Sequence, residues 1–274
     1  PLESSAACIF SPASVVVYLD ILGFFDNVDH EILMRLVRKV IKDRRVLGLI
    51  CGWLKAGVME EGKVRYLTSG TPQGGVISPL LSNVYLTVLD NAVEDRGIKF
   101  VRYADDVLLM CRNENEAAEA LDYAHRVLKK LKLELNEEKT LMSSFKEGFD
   151  FLGFRFGLRG RGVGTKSLRS FYRKVREITR RQQGDKLVEA VIRKLNPVLR
   201  GWGNYHCEGR NVGLFTRLDK WVRNRLRAYI HKCWRTHHRM SAKPEKSAFD
   251  RMGLFSIRKI LRPERSQLML FQVP

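Results

Sequence analysis

Lys99–Cys111 reads KFVRYADDVLLMC, two apolar runs on either side of Ala104-Asp105-Asp106. Apolar runs joined by a short polar turn predict a β-hairpin, and this one carries two adjacent carboxylates at its tip. An Asp-Asp pair at a turn is ordinarily turn chemistry. The stretch becomes decisive when a second run is set beside it. Ser14–Asp20 (SVVVYLD) is short, β-branched and ends on another carboxylate, as expected for a buried strand. If both elements lie in one sheet, Asp20, Asp105 and Asp106 converge at its edge. Carboxylates that close repel one another, and burial raises their pKa values. A divalent cation removes the conflict, and a small cluster of hard oxygens suits Mg²⁺. Two such ions, about 3.5–4 Å apart, activate an attacking 3′-oxygen and steady a leaving pyrophosphate.

Asp29 is predicted as the N-cap of a helix with the helically spaced Ile32, Leu33, Leu36, Val37, Val40 and Ile41. Val46–Ala56 reads as a second helix stopped by Gly57, and Val58–Leu67 as a hairpin around Glu61-Gly62. Thr68–Gly75 (TSGTPQGG) holds three glycines and a proline and cannot be regular structure. Ser78-Pro79 then predicts a helix with Ser at N-cap and Pro at N1, ended by Gly97. A helix from Asn113 or Glu114 to Leu131 has an acidic start and a basic end. Leu133–Leu135, Thr140–Ser143 and Asp150–Phe156 look like short strands. The result is an α+β pattern of the split-βαβ type, an antiparallel sheet backed by helices. Beyond Arg155 the character changes. Arg159–Gly164 (RGRGVG) reads as a flexible basic turn, and helical stretches follow at about Lys166–Gln183, Lys186–Arg200 and Leu214–Trp234.

Charge divides the chain in the same place. The 274 residues carry a net charge of +19. Residues 1–154 hold 19 Lys and Arg against 22 Asp and Glu, a net of −3; residues 155–274 hold 30 against 8, a net of +22. A protein this basic meets a polyanion. A membrane surface is the weaker candidate, because no run approaches the ~18 apolar residues of a spanning helix. The five cysteines are scattered with no CxxC pair, against a disulfide scaffold or a zinc ribbon and in keeping with a reducing interior. The start has no signal-peptide pattern. Lys166, Arg169, Arg173, Lys174, Arg176, Arg180 and Arg181 crowd one predicted helix; Arg217, Lys220, Arg223, Arg225 and Arg227 crowd another. With Trp202, Tyr205, Trp221 and Trp234 interleaved, this suits phosphate and unstacked bases. For most of those aromatics core packing is the better reading.

Several motifs occur in a fixed order: DILGFFDNVDH (Asp20–His30), GTPQGGVISP (Gly70–Pro79), YADD (Tyr103–Asp106), LNEEKT (Leu135–Thr140), FLGF (Phe151–Phe154) and LNPVLRGWGNYH (Leu195–His206). Together they resemble reverse transcriptases encoded by group II introns, over nearly the whole chain from Val15 to His238. The resemblance implies a polymerase palm over 1–158 and an all-α thumb or maturase domain over 159–238; residues 239–274, which match the family poorly, are read as a basic tail. It implies RNA-directed DNA polymerase activity by two-metal-ion nucleotidyl transfer. Asp20, the Ile21 carbonyl, Asp105 and Asp106 match the ligands of two Mg²⁺ ions, with Mn²⁺ as the alternative. Phe25 matches a gate against the ribose 2′-hydroxyl. Gln73 and Gly74 match the lining of the nucleotide pocket, and Lys139 a proton donor to pyrophosphate. Phe151, Leu152 and Gly153 match a primer grip. Lys166, Arg169, Arg173, Arg180, Arg181, Arg217, Arg223 and Arg227 would contact RNA. The implied partners are an RNA template, a DNA primer, deoxynucleoside triphosphates and intron RNA, in a bacterial cytoplasm or an organelle.

The family carries a fingers region before the strand that bears Asp20. Leu2–Pro12 does not resemble it, so the expectation is a chain without fingers. Two alternatives follow: an RNA-binding splicing factor that polymerises nothing, and a domesticated reverse transcriptase, for instance one serving host defence.

Overall fold

The structure is a computed structural model that describes residues 15–56, 58–60, 63–65, 69–71, 75–158, 160–180, 187–208, 211–236 and 246–261. The chain divides into two compact units, residues 1–147 and 148–274.

The first unit is built on strand β1 (Val15–Leu19). It pairs antiparallel with β5 (Asp106–Cys111) on one side and β6 (Leu141–Ser144) on the other, and β4 (Lys99–Tyr103) closes the sheet beyond β5 in the order β4-β5-β1-β6. Side chains alternate across a strand. Val15, Val17 and Leu19 therefore share one face with Val107, Leu109 and Cys111, and all six enter one core. That core is completed by Ile32, Leu33 and Val37 of α2 (His30–Val40), Tyr85, Leu86 and Leu89 of α4 (Ser78–Asp95), and Ala120, Ala124 and Leu128 of α5 (Glu114–Lys130). The opposite face carries the even-numbered residues, and the candidate chemistry lies there.

The helix ends follow local chemistry. Asp29 accepts hydrogen bonds from the Glu31 and Ile32 amides at the start of α2, and Asn113 caps α5 through the Glu116 amide. Helix α3 (Arg44–Lys55) starts two residues before its apolar spacing does, because Asp43 caps it through the Arg45 and Val46 amides. In α4 the cap is Ile77, with Ser78 as the first helical residue. Ser78 is therefore not the cap that the sequence predicts, because the first helical bond, Leu81 N to Ile77 O at 3.0 Å, starts the helix one residue earlier. A short helix α1 (Phe24–Asn27) follows β1. The fully buried Tyr85 hydroxyl donates to Leu131 O at 2.7 Å and accepts from Asp29 N at 3.3 Å, so one side chain joins three helices. Burial pushes this phenol up to about 12. The hairpin expected near Glu61 is present as β2 (Val58–Glu60) and β3 (Lys63–Arg65). Leu133–Leu135 forms no strand. It makes only a single antiparallel bridge, Leu135 to Ile21, after a left-handed Lys132 turns the chain toward the end of β1.

The second unit opens with a three-stranded antiparallel sheet, β7 (Phe149–Phe151), β8 (Phe154–Gly157) and β9 (Gly160–Val163). Two expectations are corrected. Asp150–Phe156 is two strands rather than one, reversed at Leu152-Gly153, where φ is +47° and +79°. Two successive positive φ values characterise the tight hairpin turn whose twist matches its strands. The stretch RGRGVG, expected as a flexible turn, supplies β9, because its backbone pairs with β8 from Phe154↔Val163 to Gly157↔Gly160. Helices α6 (Thr165–Ile178), α7 (Val188–Tyr205) and α8 (Val212–Thr236) then pack through Phe171, Ile192, Leu195, Leu199, Leu218 and Val222.

The stretch read as a basic tail contributes to this core. Helix α9 (Lys246–Arg251) and a 3₁₀ turn (Ile257–Leu261) bury Phe249, Leu254 and Ile257. Asn196 clips the segment from α7, donating to Gly253 O and accepting from Phe255 N, both at 2.9 Å. Asp219 clips it from α8, accepting from Ser256 Oγ, Ile257 N and Arg258 N.

Candidate active site

Along the β1–β5 pairing, Leu19 faces Val107. One step further the register sets Asp20 opposite Asp106, on the face that also carries Tyr18. The β4–β5 hairpin closes at Tyr103↔Asp106 over a two-residue loop, which puts Asp105 at its tip. The three aspartates therefore meet at one end of the sheet. Burial raises the pKa of the Asp105 carboxyl above its ordinary value, and the charges of Asp106 and Asp20 push it the same way. Tyr18 donates a short hydrogen bond to Asp106 Oδ1. Burial raises the Tyr18 phenol strongly, helped by that bond and by all three carboxylates.

The tip is held from behind. Arg102 of β4 forks onto Asp90 of α4 at 2.7 and 2.5 Å, donates to Asn83 Oδ1 at 2.9 Å and to Ala104 O at 3.0 Å. Ala104 itself has φ +55°, a conformation that costs an L-residue about 1–2 kcal/mol. The guanidinium thus fixes the carbonyl of the strained residue directly before Asp105. On the other flank Asn136 N donates to Asp20 O at 2.8 Å, and the Leu135–Thr140 turn brings Lys139 Nζ to 3.6 Å from Asp20 Oδ2.

Phe25 is half-buried, edge-on to Phe24 with ring centroids 5.2 Å apart, and its carbonyl accepts from Thr71 N at 2.6 Å. Gly70 has φ +89°, and a Cβ there would lie 2.8 Å from the carbonyl oxygens of Phe25 and Asp26. Only glycine lets this loop reach the chain around Phe25. Gln73 and Gly74 lie outside the described residues.

Could this donor set hold a metal? Three carboxylates and a nearby backbone carbonyl, that of Ile21, are the hard oxygens that Mg²⁺ takes. The upward push on Asp105 marks the like-charge conflict that a cation would relieve. Among the described residues no three His, Cys, Asp or Glu side chains stand as a ready metal-binding group. Tyr18 engages Asp106, and Lys139 stands beside Asp20. The residue types fit the ions, and the two contacts with Tyr18 and Lys139 would have to yield to them.

Phe151, Leu152 and Gly153 form the β7–β8 reversal in the second unit. Tyr205 OH donates to Leu152 O at 2.7 Å, and its ring stacks on Phe154 at 5.2 Å. Next to it His206 is buried, 2.8 Å from Ser167 Oγ, which also accepts from Trp202 Nε1 at 3.2 Å. Burial lowers His206 to about 4. Lys166, Arg169, Arg173 and Arg180 are exposed on and just after α6, and Arg181 lies outside the described residues. Arg217 is exposed on α8, whereas Arg227 is half-buried and donates to Asn224 Oδ1 at 2.9 Å. Arg223 is buried, with Nη2 3.2 Å from Asp250.

Sequence reasoning passed over Tyr18 and Arg102, and read Tyr205 only as a base-stacking or core aromatic. Tyr18 was legible in principle, two residues from Asp20 and so on its face of the strand. Arg102 was not, because its partner Asp90 lies on a different element.

Residues 7–156 match the family described as reverse transcriptase (RNA-dependent DNA polymerase), and residues 168–246 match the group II intron, maturase-specific domain. Protein YkfC of Escherichia coli K12 is 33% identical over 175 residues, covering 51% of this chain and 46% of its own length. The group II intron-encoded protein LtrA of Lactococcus lactis subsp. cremoris is 29% identical over 223 residues, 58% of this chain and 37% of its own. The putative COX1/OXI3 intron 1 protein of Saccharomyces cerevisiae is 24% identical over 284 residues, 81% of this chain and 33% of its own. The chain thus spans less than half the length of each of these relatives. Among solved structures, a foamy viral protease-reverse transcriptase in complex with RNA/DNA hybrid covers 92% of this chain and 27% of its own at 16% identity and a TM-score of 0.50. The apo telomerase from Candida tropicalis covers 98% of this chain and 46% of its own at 14% identity and a TM-score of 0.51. At such identities the likeness is one of fold.

Proposed function

Because the chain belongs to the reverse transcriptase (RNA-dependent DNA polymerase) family and carries the maturase-specific domain of group II introns, we propose that it is the RNA-directed DNA polymerase core of a group II intron-encoded protein. The observation that carries this reading is the convergence of Asp20, Asp105 and Asp106 at one sheet end, with the Asp105 carboxyl pushed up by burial and by the other two charges. In this reading the first unit holds most of a polymerase palm and the second the thumb.

Asp20, Asp105, Asp106 and the Ile21 carbonyl would hold two Mg²⁺ ions, or Mn²⁺, which supply charge neutralisation for an attacking 3′-oxygen and a leaving pyrophosphate. The chain's own groups do the rest. Lys139, exposed and beside Asp20, offers a cation and a proton to pyrophosphate. Phe25 presents a ring that a ribose 2′-hydroxyl would meet, selecting deoxynucleotides; the nucleotide-pocket roles that the resemblance gives Gln73 and Gly74 fall on residues outside those described. Leu152-Gly153, its carbonyl pinned by Tyr205, turns a rigid backbone reversal toward the primer. The exposed cations of α6 and α8 bind the phosphates of template–primer and intron RNA.

The test is extension of a DNA primer on an RNA template by the full chain. Extension should require Mg²⁺, and Asp105→Asn or Asp106→Asn should lower it on the order of a thousandfold, the rate equivalent of several kcal/mol of lost charge stabilisation. Extension that survives both substitutions sinks the catalytic assignment.

A second reading is an RNA-binding splicing factor without polymerase activity. The net charge of +22 on residues 155–274 favours it. Salt-dependent binding to RNA by a parent protein that extends no primer would establish it over the first. Neither reading calls for a membrane, and no described helix is long and apolar enough to cross one.

A further inference from the structure

In the second unit a cavity of about 330 Å³ opens between α8 and the 3₁₀ turn at Ile257–Leu261, lined by Thr216, Asp219, Lys220, Arg223, Arg227, Ser256 and Arg258. Thr216, Lys220, Arg223 and Arg227 stand at helical spacings of four, three and four, so α8 offers them as one stripe. Arg258 reaches the same space from the C-terminal segment. Four cations thus share one opening with a single lining carboxylate, that of Asp219. That carboxylate is already committed, accepting from Ser256 Oγ, Ile257 N and Arg258 N. Arg223 is more than nine-tenths buried. Its Nη2 meets Asp250, while its buried Nε has no hydrogen-bond partner, so the planar fork is only partly satisfied. Among the described residues neither Lys220 nor Arg258 has an ion-pair partner.

Several cations held around one opening repel one another, and a polyanion is the ligand that offsets this. We infer that this cavity is a phosphate-binding site for the RNA backbone, completed by Arg258 from a segment beyond the residues that match the maturase-specific domain. The inference rests on the RNA-binding part of the function proposed above and adds a specific seat for one phosphate. It also gives the C-terminal segment a task. Asp219 and Asn196 hold residues 253–258 so that Arg258 faces the α8 stripe.

The experiment is fluorescence anisotropy of a labelled RNA hairpin with the full chain across a salt series. Arg258→Gln and Lys220→Gln should each weaken binding about tenfold, as for a lost charge-assisted contact, and each should flatten the slope of log affinity against log salt by about 1. Lys259→Gln removes an equal charge one residue away, outside the cavity, and should change affinity less than twofold, the small effect of a screened surface charge. Arg258→Lys should retain most of the binding. Lys220 contacts none of the clips, so Lys220→Gln tests the site even if Arg258→Gln unsettles the C-terminal segment. If the parent binds RNA and Lys220→Gln matches it in affinity and slope, this inference is overturned while RNA binding stands. Equal losses from Lys259→Gln and Arg258→Gln would reduce the site to diffuse charge and overturn it too. A parent that shows no salt-dependent RNA binding removes the RNA-binding reading itself.

Discussion

Arg102 shows how much of the catalytic end depends on one side chain. Its side chain is only 11% exposed, that of Asp90 19%, and the fork between them leaves one nitrogen for Ala104 O and Asn83. Breaking a buried pair by removing one partner strands the other charge and costs roughly 3–5 kcal/mol, whereas replacing both with apolar residues costs far less. Arg102→Met should therefore lower the unfolding free energy by about 3 kcal/mol, with Arg102→Met/Asp90→Leu recovering most of it. Urea denaturation of the full chain checks this, and equal losses in both variants would contradict it. Extension should stay low in the double variant, because Ala104 O still lacks its donor.

At the scale of elements, the end of α7 (Trp202, Tyr205 and His206) packs with Ser167 of α6 and holds the β7–β8 reversal. His206 carries the pH dependence. Its unfolded pKa is the ordinary 6.5 and burial brings the folded value to about 4. Between those values the unfolded chain binds the extra proton, so stability rises with pH across that window and is lost as pH falls through it. Between pH 6.5 and about 5, above most carboxylate titrations, the loss should be roughly 1.5 kcal/mol. His206→Asn should flatten the dependence, and denaturation followed by tryptophan fluorescence would report it. An unchanged slope would mean that the imidazole charges without penalty. The reversal also marks a limit of sequence reasoning. Phe149–Gly157 has uniform β-character, and only Gly153 hints at a turn. A leucine at φ +47° is acceptable because Tyr205, fifty-three residues later, binds its carbonyl.

At the scale of the whole molecule the charge asymmetry is the governing fact. Phosphate-dominated binding should weaken steeply with salt, by a slope of about 0.7–0.9 per phosphate neutralised. The triple change Lys166→Gln/Arg169→Gln/Arg173→Gln, all exposed on α6, should weaken RNA binding at least tenfold and lower the slope by about 3. Arg38→Gln/Lys39→Gln/Lys42→Gln removes the same charge from the acidic first unit and should leave the slope near the parent value. Filter binding across a salt series compares them, and equal effects from the two triples would deny the second unit its special role.

The primary structure by itself determined the strand–carboxylate–hairpin arrangement around Asp20, Asp105 and Asp106. Alternation along a strand and the pairing of adjacent apolar runs are local rules, legible in a dozen residues. Helix starts at Asp29 and Asn113 were legible for the same reason. Tertiary structure alone decided what holds those carboxylates. Tyr18 on Asp106, Arg102 on Asp90 and Lys139 near Asp20 join residues 12 to 119 positions apart, and no local pattern encodes such a distance. It also decided that residues 246–261, half apolar but read with the basic tail, complete the second core. Three buried side chains, Phe249, Leu254 and Ile257, and the clips from Asn196 and Asp219 suffice to fix them. A site made where such a segment meets α8 exists only once the chain has folded.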